Sequence, residues 1–354
     1  MAQTIATLRS LTAGELLDKT FKPREIILDP WLRQEETAII WAASGVGKTM
    51  LSLSVALAVA GGGTLADWDA PKARKVLYLD GEMHLQDIRD RVRMLLDAKG
   101  VKMKNKVAAR ANLTFIARQD QDIGTKFYDL TDEESQKTIL KLAQRSGAEL
   151  VILDNFTTLS EGLEDENDAT AFKRVQDFFL QMKRAGIATI LIHHANKGGK
   201  NMRGSTSLET TFEVILGLVR PKVAATGQAR FVTEFTKFRG QGDERLSART
   251  WTLEEDGWSV SESFPDDPND EPVVMALRSL NFATLTEIAQ ELTLDKSTVS
   301  RRVQRAVALG VLKEKEPGEL LAKAKELRRT DGKYDVIGLC DLPDAGDALL
   351  AASF

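Results

Sequence analysis

The chain holds a single cysteine, Cys340, and only three histidines in 354 residues. An intramolecular disulfide framework is therefore closed to it, and a structural zinc site lacks its usual ligands. A reducing, cytoplasmic setting is the expectation. Long hydrophobic runs are also missing. The most apolar stretch, residues 51–60, is too short to span a bilayer and directly follows a glycine loop. The N-terminal MAQTIATLRSLTAGELLDKTF carries no apolar run of signal-peptide length, so no membrane partner is expected. An excess of one charge is absent too: 48 Lys and Arg stand against 52 Asp and Glu, a net charge of −4. Any nucleic acid must be held by local patches, or by a weak site multiplied in an oligomer.

What is present is an alternation of short apolar runs and helical patterns. TAIIWAA (37–43), KVLYLDG (75–81), AELVILDNF (148–156) and IATILIHH (187–194) read as buried strands. Helices are expected near 48–60, 85–97 and 169–184 between them, and this order argues for an α/β fold with a mostly parallel sheet. EVILGLVR and ARFVTEFTKFRG read as further strands. Residues 1–36 read as an N-terminal arm containing a short helix capped by Thr12. SFPDDPNDEP (263–272) breaks the composition with prolines and acids and reads as a linker between a large α/β domain, 37–262, and a second domain, 273–345, with a tail at 346–354.

The segment WAASGVGKTM sits between a strand and a helix. Gly45, Val46 and Gly47 let successive N–H groups turn inward around phosphate oxygens, and Ser44 precedes them. Lys48 supplies a charge for the β- and γ-phosphates, and the Thr49 hydroxyl suits Mg²⁺. The usual first glycine of this loop is replaced by Ala42, a change that costs little where φ stays negative. A metal-binding acid is then expected at a neighbouring strand tip, and Asp154 in VILDN stands there, so Thr49 and Asp154 are the expected Mg²⁺ pair. YLDGE ends another strand with Asp80 and Glu82. Glu82 reads as the base that activates water, and Asp80 reads equally as a turn residue.

Taken in order, GVGKT, VLYLDGEM, VILDNFTTLS, DENDATAF, ILIHHANKGGKNMRGSTSL and FTKFRG resemble the RecA-fold ATPases that include the plasmid RepA hexameric helicases and, more distantly, DnaB and KaiC. The resemblance spans roughly residues 12–245 and implies a RecA-like P-loop NTPase using ATP and Mg²⁺. It implies that Glu82 is catalytic and that His194 or His193 senses the γ-phosphate. It implies that Lys237 and Arg239 reach into a neighbouring copy's site, which makes a homo-hexamer or similar ring the working unit. The loop KGGKNMRGSTS carries Lys197, Lys200 and Arg203 among small residues and suits backbone contacts with single-stranded DNA. The acidic run 161–168 resembles a loop of these proteins to which the residues assign no role.

The last recognisable pattern is ATLTEIAQELTLDKSTVSRRVQRAVALGVLKEKE (283–316). Two short helices joined by a tight turn, the second polar and basic outside, make a helix-turn-helix. Ser297, Thr298, Arg301, Arg302 and Arg305 are expected to face outward, toward double-stranded DNA or a replication protein. ALGVLKEKE followed later by GKYDVIGL resembles the wing of a winged helix. The expected function is an ATP-dependent ring helicase of plasmid or phage replication. The alternative is an ATPase switch, loader or regulator that binds DNA without unwinding it.

Overall fold

The computed structural model describes residues 9–162, 169–196, 202, 210–221, 229–262 and 271–337. The chain divides into two units, residues 1–262 and 263–354. The first begins with α1 (Ala13–Asp18), an exposed helix closed by a capping box between Thr12 and Glu15. β1 (Ile26–Leu28) and β2 (Leu32–Arg33) then form an antiparallel hairpin. Ile27, Leu28, Trp31 and Leu32 of this hairpin are fully buried. The expected arm over 1–36 is corrected here: its C-terminal part is core, because so short a hairpin is stable only when packed against something larger.

β3 (Thr37–Ala42) runs into α2 (Lys48–Gly61). β4 (Gly63–Leu65) and β5 (Trp68–Ala70) lead to β6 (Val76–Asp80) and α3 (Leu85–Leu96). β7 (Val101–Met103) joins β4 and β5 in a small antiparallel sheet, and α4 (Lys106–Asn112) and β8 (Leu113–Ala117) follow. Next come α5 (Glu133–Ser146), β9 (Leu150–Asp154), α6 (Ala169–Arg184), β10 (Ala188–His194) and β11 (Val214–Val219). β12 (Arg230–Phe238), β13 (Arg249–Glu254) and β14 (Gly257–Glu262) close the unit.

The main sheet has nine strands in the order β14-β13-β12-β11-β3-β10-β9-β6-β8. The strands from β11 to β8 are parallel, and β12, β13 and β14 continue antiparallel. The fold is therefore α/β with a mostly parallel main sheet. β3, β6, β9 and the body of β10 are buried on both faces, which is why they read as unbroken apolar runs. Alternate residues divide between two cores. Ala38, Ile40 and Tyr78 pack with α2 on one face, while Ile39, Trp41 and Leu79 pack with Ile139, Phe178 and Phe179 of α5 and α6 on the other. Among the described residues, no helix is long and apolar enough to cross a membrane.

The second unit contains α7 (Pro272–Arg278), α8 (Leu285–Glu291), α9 (Lys296–Ala308) and α10 (Glu316–Ile337). Val273, Leu277, Ile288, Val299, Val303 and Leu312 make its core. The expected wing is corrected: α10 continues through residues 332–337, and this unit has no strand among the described residues. ELLAKAKELRR, which precedes that segment, is composed of strong helix formers and carries the helix forward. Residues 338–354, including the expected tail, lie outside the described residues.

Candidate functional site

The C-terminal ends of β3, β6, β9 and β10 meet at one edge of the sheet, with His194 opposite Ala42 and Asp80 opposite Asp154. Ligands of open α/β sheets gather at such an edge. A cleft of about 790 Å³ opens there, lined by Ser44, Gly45, Gly47, Lys48, Thr49, Glu82, Asp154, Asn155 and His194 among others.

The loop after β3 is built on two glycines at positive φ, Gly45 at 71° and Gly47 at 123°. A Cβ on Gly47 would also stand 3.1 Å from both the Ala229 Cβ and the Phe231 ring. Val46 is buried and anchors the loop to the core. Ala42 is the last residue of β3, fully buried and paired with His194 in the ladder. It therefore precedes the part of the loop that needs glycine.

The Lys48 ammonium donates to the carbonyls of Ala42 and Ala43, each at 3.0 Å, and lies 3.3 Å from His194 Nδ1. Burial pulls its pKa below the ordinary lysine value, against the pull of Asp154 and Glu82. Its present partners are backbone carbonyls of its own loop, which an incoming phosphate can replace with full charge.

Asp154 is buried, and its Oδ2 accepts from the Tyr78 hydroxyl at 2.6 Å. Burial pushes its pKa up to about 6, opposed chiefly by the Tyr78 hydrogen bond and also by Thr49 and Lys48. Thr49 and Asp154 thus meet at the loop, and one hydroxyl and one carboxylate beside a phosphate cradle fit Mg²⁺. Among the described residues, no group of three or more His, Cys, Asp and Glu can hold a metal alone. Phosphate and water oxygens would complete the shell around Thr49 and Asp154.

Glu82 is exposed in the cleft, and its Oε2 accepts from the Asn155 amide at 2.7 Å. Asp80 has the turn role instead: its Oδ1 accepts from the N–H groups of Glu82 and Met83 at 3.0 and 2.6 Å. Burial raises its pKa as well. Of the two histidines, His193 is fully buried with its ring edge-on to Phe156, and His194 lines the cleft beside Lys48.

Lys237 and Arg239 are not brought to this cleft. Lys237 pairs with Ile215, which pairs with Ile39 near the start of β3, so both basic residues lie at the sheet edge opposite their own phosphate loop. Arg239 stands one residue past β12, exposed, with Nη2 3.4 Å from the Thr210 carbonyl. Arg239 thus lies beyond the strand alternation that fixes the side of Lys237. Lys197, Lys200 and Arg203 lie outside the described residues, as does most of the acidic run.

In the second unit, Ser297 and Arg301 are exposed on α9. Two expectations fail there. Thr298 is buried, and its N–H and hydroxyl both donate to Asp295, the cap of α9. Arg302 is largely buried and forms an ion pair with the buried Glu271 at 3.1 Å. Arg305 is half-buried.

Sequence reasoning missed Tyr78, Asn155 and Arg220. Asn155 directly follows Asp154 and could have been found by its place at the strand tip. Arg220 donates from Nη2 to the Gly45 carbonyl at 3.0 Å across 175 residues of sequence, and Tyr78 sits among apolar strand residues. Neither has a local signal.

A model of the AAA domain family matches residues 2–200. That stretch holds the phosphate loop, Glu82, Asp154 and His194, and ends before Lys237, Arg239 and the second unit. Among solved structures, a KaiC-like protein from the hyperthermophilic archaeon Pyrococcus horikoshii OT3 is similar, with a TM-score of 0.47 and 14% identity, covering 66% of this chain and 93% of that one. No curated protein matches the chain.

Proposed function

Since the chain belongs to the AAA domain family and is a P-loop ATPase by fold, we propose that it is a ring-forming, ATP-driven helicase or translocase on single-stranded DNA, of the kind used in plasmid or phage replication. Lys48 exchanges its loop carbonyls for the β- and γ-phosphates, and the N–H groups of the glycine loop bind their oxygens. Thr49 and Asp154 would hold Mg²⁺, which would offset phosphate charge. Glu82 orients the attacking water and takes its proton, and His194 reads the state of the γ-phosphate from beside Lys48.

The observation that carries the reading is the position of Lys237 and Arg239 at the far edge of the sheet from their own phosphate loop. Cations so placed cannot serve their own site and suit that of a second copy, where an arginine stabilises charge developing on the γ-phosphate. A site shared between copies favours a closed ring of like subunits, the hexamer being the leading form. The loop with Lys197, Lys200 and Arg203 is assigned to the single strand, and Ser297 and Arg301 to a duplex or a replication protein.

Strand displacement on a forked duplex with ATP and Mg²⁺ tests the proposal. Unwinding by the wild type, lost in both Lys48→Ala and Arg239→Ala, is expected. ATP hydrolysis without displacement would remove the helicase and favour the second reading, a DNA-binding switch, loader or regulator, to which the exposed Arg301 of α9 also gives support.

A further inference from the structure

The metal-binding carboxylate is not held by its own strand alone. Tyr78 lies in the middle of β6, fully buried on the α2 face of the sheet, with its ring packed 5.4 Å from that of Phe115. Its hydroxyl lies 2.6 Å from Asp154 Oδ2 and 2.8 Å from Ser52 Oγ. A phenol has one proton, and a carboxylate only accepts, so that proton goes to Asp154 and the Tyr78 oxygen accepts from Ser52. Ser52 sits on α2 three residues after Thr49, whose carbonyl, 3.1 Å from Ser52 Oγ, is the longer, competing acceptor for the one proton that Ser52 gives to Tyr78. A chain of hydrogen bonds therefore runs from the helix that carries Thr49, through β6, to the tip of β9 that carries Asp154.

Packing does not explain this chain. Phenylalanine would fill the same space without the cost of desolvating a hydroxyl. A donor fixed on one carboxylate oxygen prevents the side chain from rotating and leaves the second oxygen for another partner.

We propose that Tyr78, braced by Ser52, is the positioning residue of the Mg²⁺ site: it anchors Oδ2 of Asp154 so that Oδ1 is presented to the cation in register with Thr49. The inference rests on the reading of Thr49 and Asp154 as the metal pair. Tyr78 itself is not among the residues that line the cleft. Its removal should therefore weaken the response to the cation and leave metal-free nucleotide binding as it was.

The test is Tyr78→Phe, with Ser52→Ala beside it. Binding of a fluorescent ATP analogue is titrated with Mg²⁺, and Mn²⁺ uptake in the presence of ADP is followed by electron paramagnetic resonance. Half-saturating Mg²⁺ should rise about tenfold or more in Tyr78→Phe, the usual range for losing a hydrogen bond to a metal ligand. Affinity in excess chelator should equal the wild type, and Ser52→Ala should move the same way by less. Identical Mg²⁺ and Mn²⁺ titrations in Tyr78→Phe and wild type overturn the inference alone. Should Tyr78→Phe lose its native circular dichroism, the Ser52→Ala titration decides, an unshifted curve again overturning the inference. A wild type whose nucleotide binding ignores Mg²⁺, or is unaffected by Asp154→Ala, removes the metal pair itself and the inference with it.

Discussion

The side-chain amide of Asn155 donates to Oε2 of Glu82 at 2.7 Å, tying the carboxylate proposed as base to the residue next to Asp154, the proposed metal ligand. The tip of β9 thereby carries Asp154 and orients Glu82. Glu82→Gln should retain ATP binding and lose hydrolysis by roughly 10²–10⁴-fold, the usual share of a general base. Asn155→Ala should slow hydrolysis by less, because it loosens the base without removing it. Single-turnover hydrolysis beside equilibrium nucleotide binding separates the two, and full activity in Glu82→Gln would remove it from the mechanism.

Gly47 is the position in the loop least able to change. Its φ of 123° is strained for any side chain, and a methyl added there would meet Ala229 and Phe231 at 3.1 Å. Gly47→Ala should cost on the order of 1–3 kcal/mol of stability and abolish nucleotide binding. Lys48→Ala should abolish binding at little cost in stability. Thermal melts with and without ATP check both, and an ATP-induced rise in Tm for Gly47→Ala would contradict the geometry.

Asp154 makes the nucleotide-free protein pH-sensitive. Its folded pKa of about 6 exceeds the ordinary carboxylate value of 3.8, so the folded state binds the extra proton. The resulting destabilisation is absent below the ordinary value, grows as pH rises through this window, and is complete above the folded pKa, where it amounts to roughly 3 kcal/mol. Asp154→Asn keeps an acceptor for Tyr78 and removes the charge. Its Tm without nucleotide should exceed the wild type at about pH 7.5, and the gap should close by about pH 4. A gap independent of pH would contradict the assignment.

The basic residues of α9 should separate by role. Arg302 pairs with the buried Glu271, and Arg302→Ala should destabilise the second unit by about 3 kcal/mol or more, the cost of stranding a buried charge. Arg301→Ala gives up a hydrogen bond from Nη2 to Thr298 Oγ1 at 2.9 Å, so it should cost only about 1 kcal/mol of stability, weaken duplex binding and lower the salt dependence by about one phosphate contact. Denaturant melts and duplex binding at several salt concentrations read both effects. Equal duplex binding in Arg301→Ala and wild type would favour a protein partner for α9.

The parts of this fold legible in the sequence are those whose signal is local. β3, β6, β9 and β10 are buried on both sides, so each prints a continuous apolar run, and the glycines of the loop are fixed by φ at Gly45 and Gly47. The β1–β2 hairpin is too short for any periodicity, and its burial comes from distant contacts. The same holds within the site. Asp154 is announced by its strand, whereas Tyr78 and Asn155 gain their meaning from partners 76 and 73 residues away. Thr298 is polar and outward by residue type, yet a side chain that returns to its own helix cap is removed from solvent.

The central claim is that the site is completed by a second copy. Lys48→Ala and Arg239→Ala, each inactive alone, are mixed under conditions that exchange subunits, and ATP hydrolysis is measured. Pairing the intact loop of one variant with the intact arginine of the other should restore about a quarter of wild-type hydrolysis at equal ratio, the share of random interfaces that carry both groups. No recovery despite demonstrated mixing, or full activity in Arg239→Ala alone, would contradict the account.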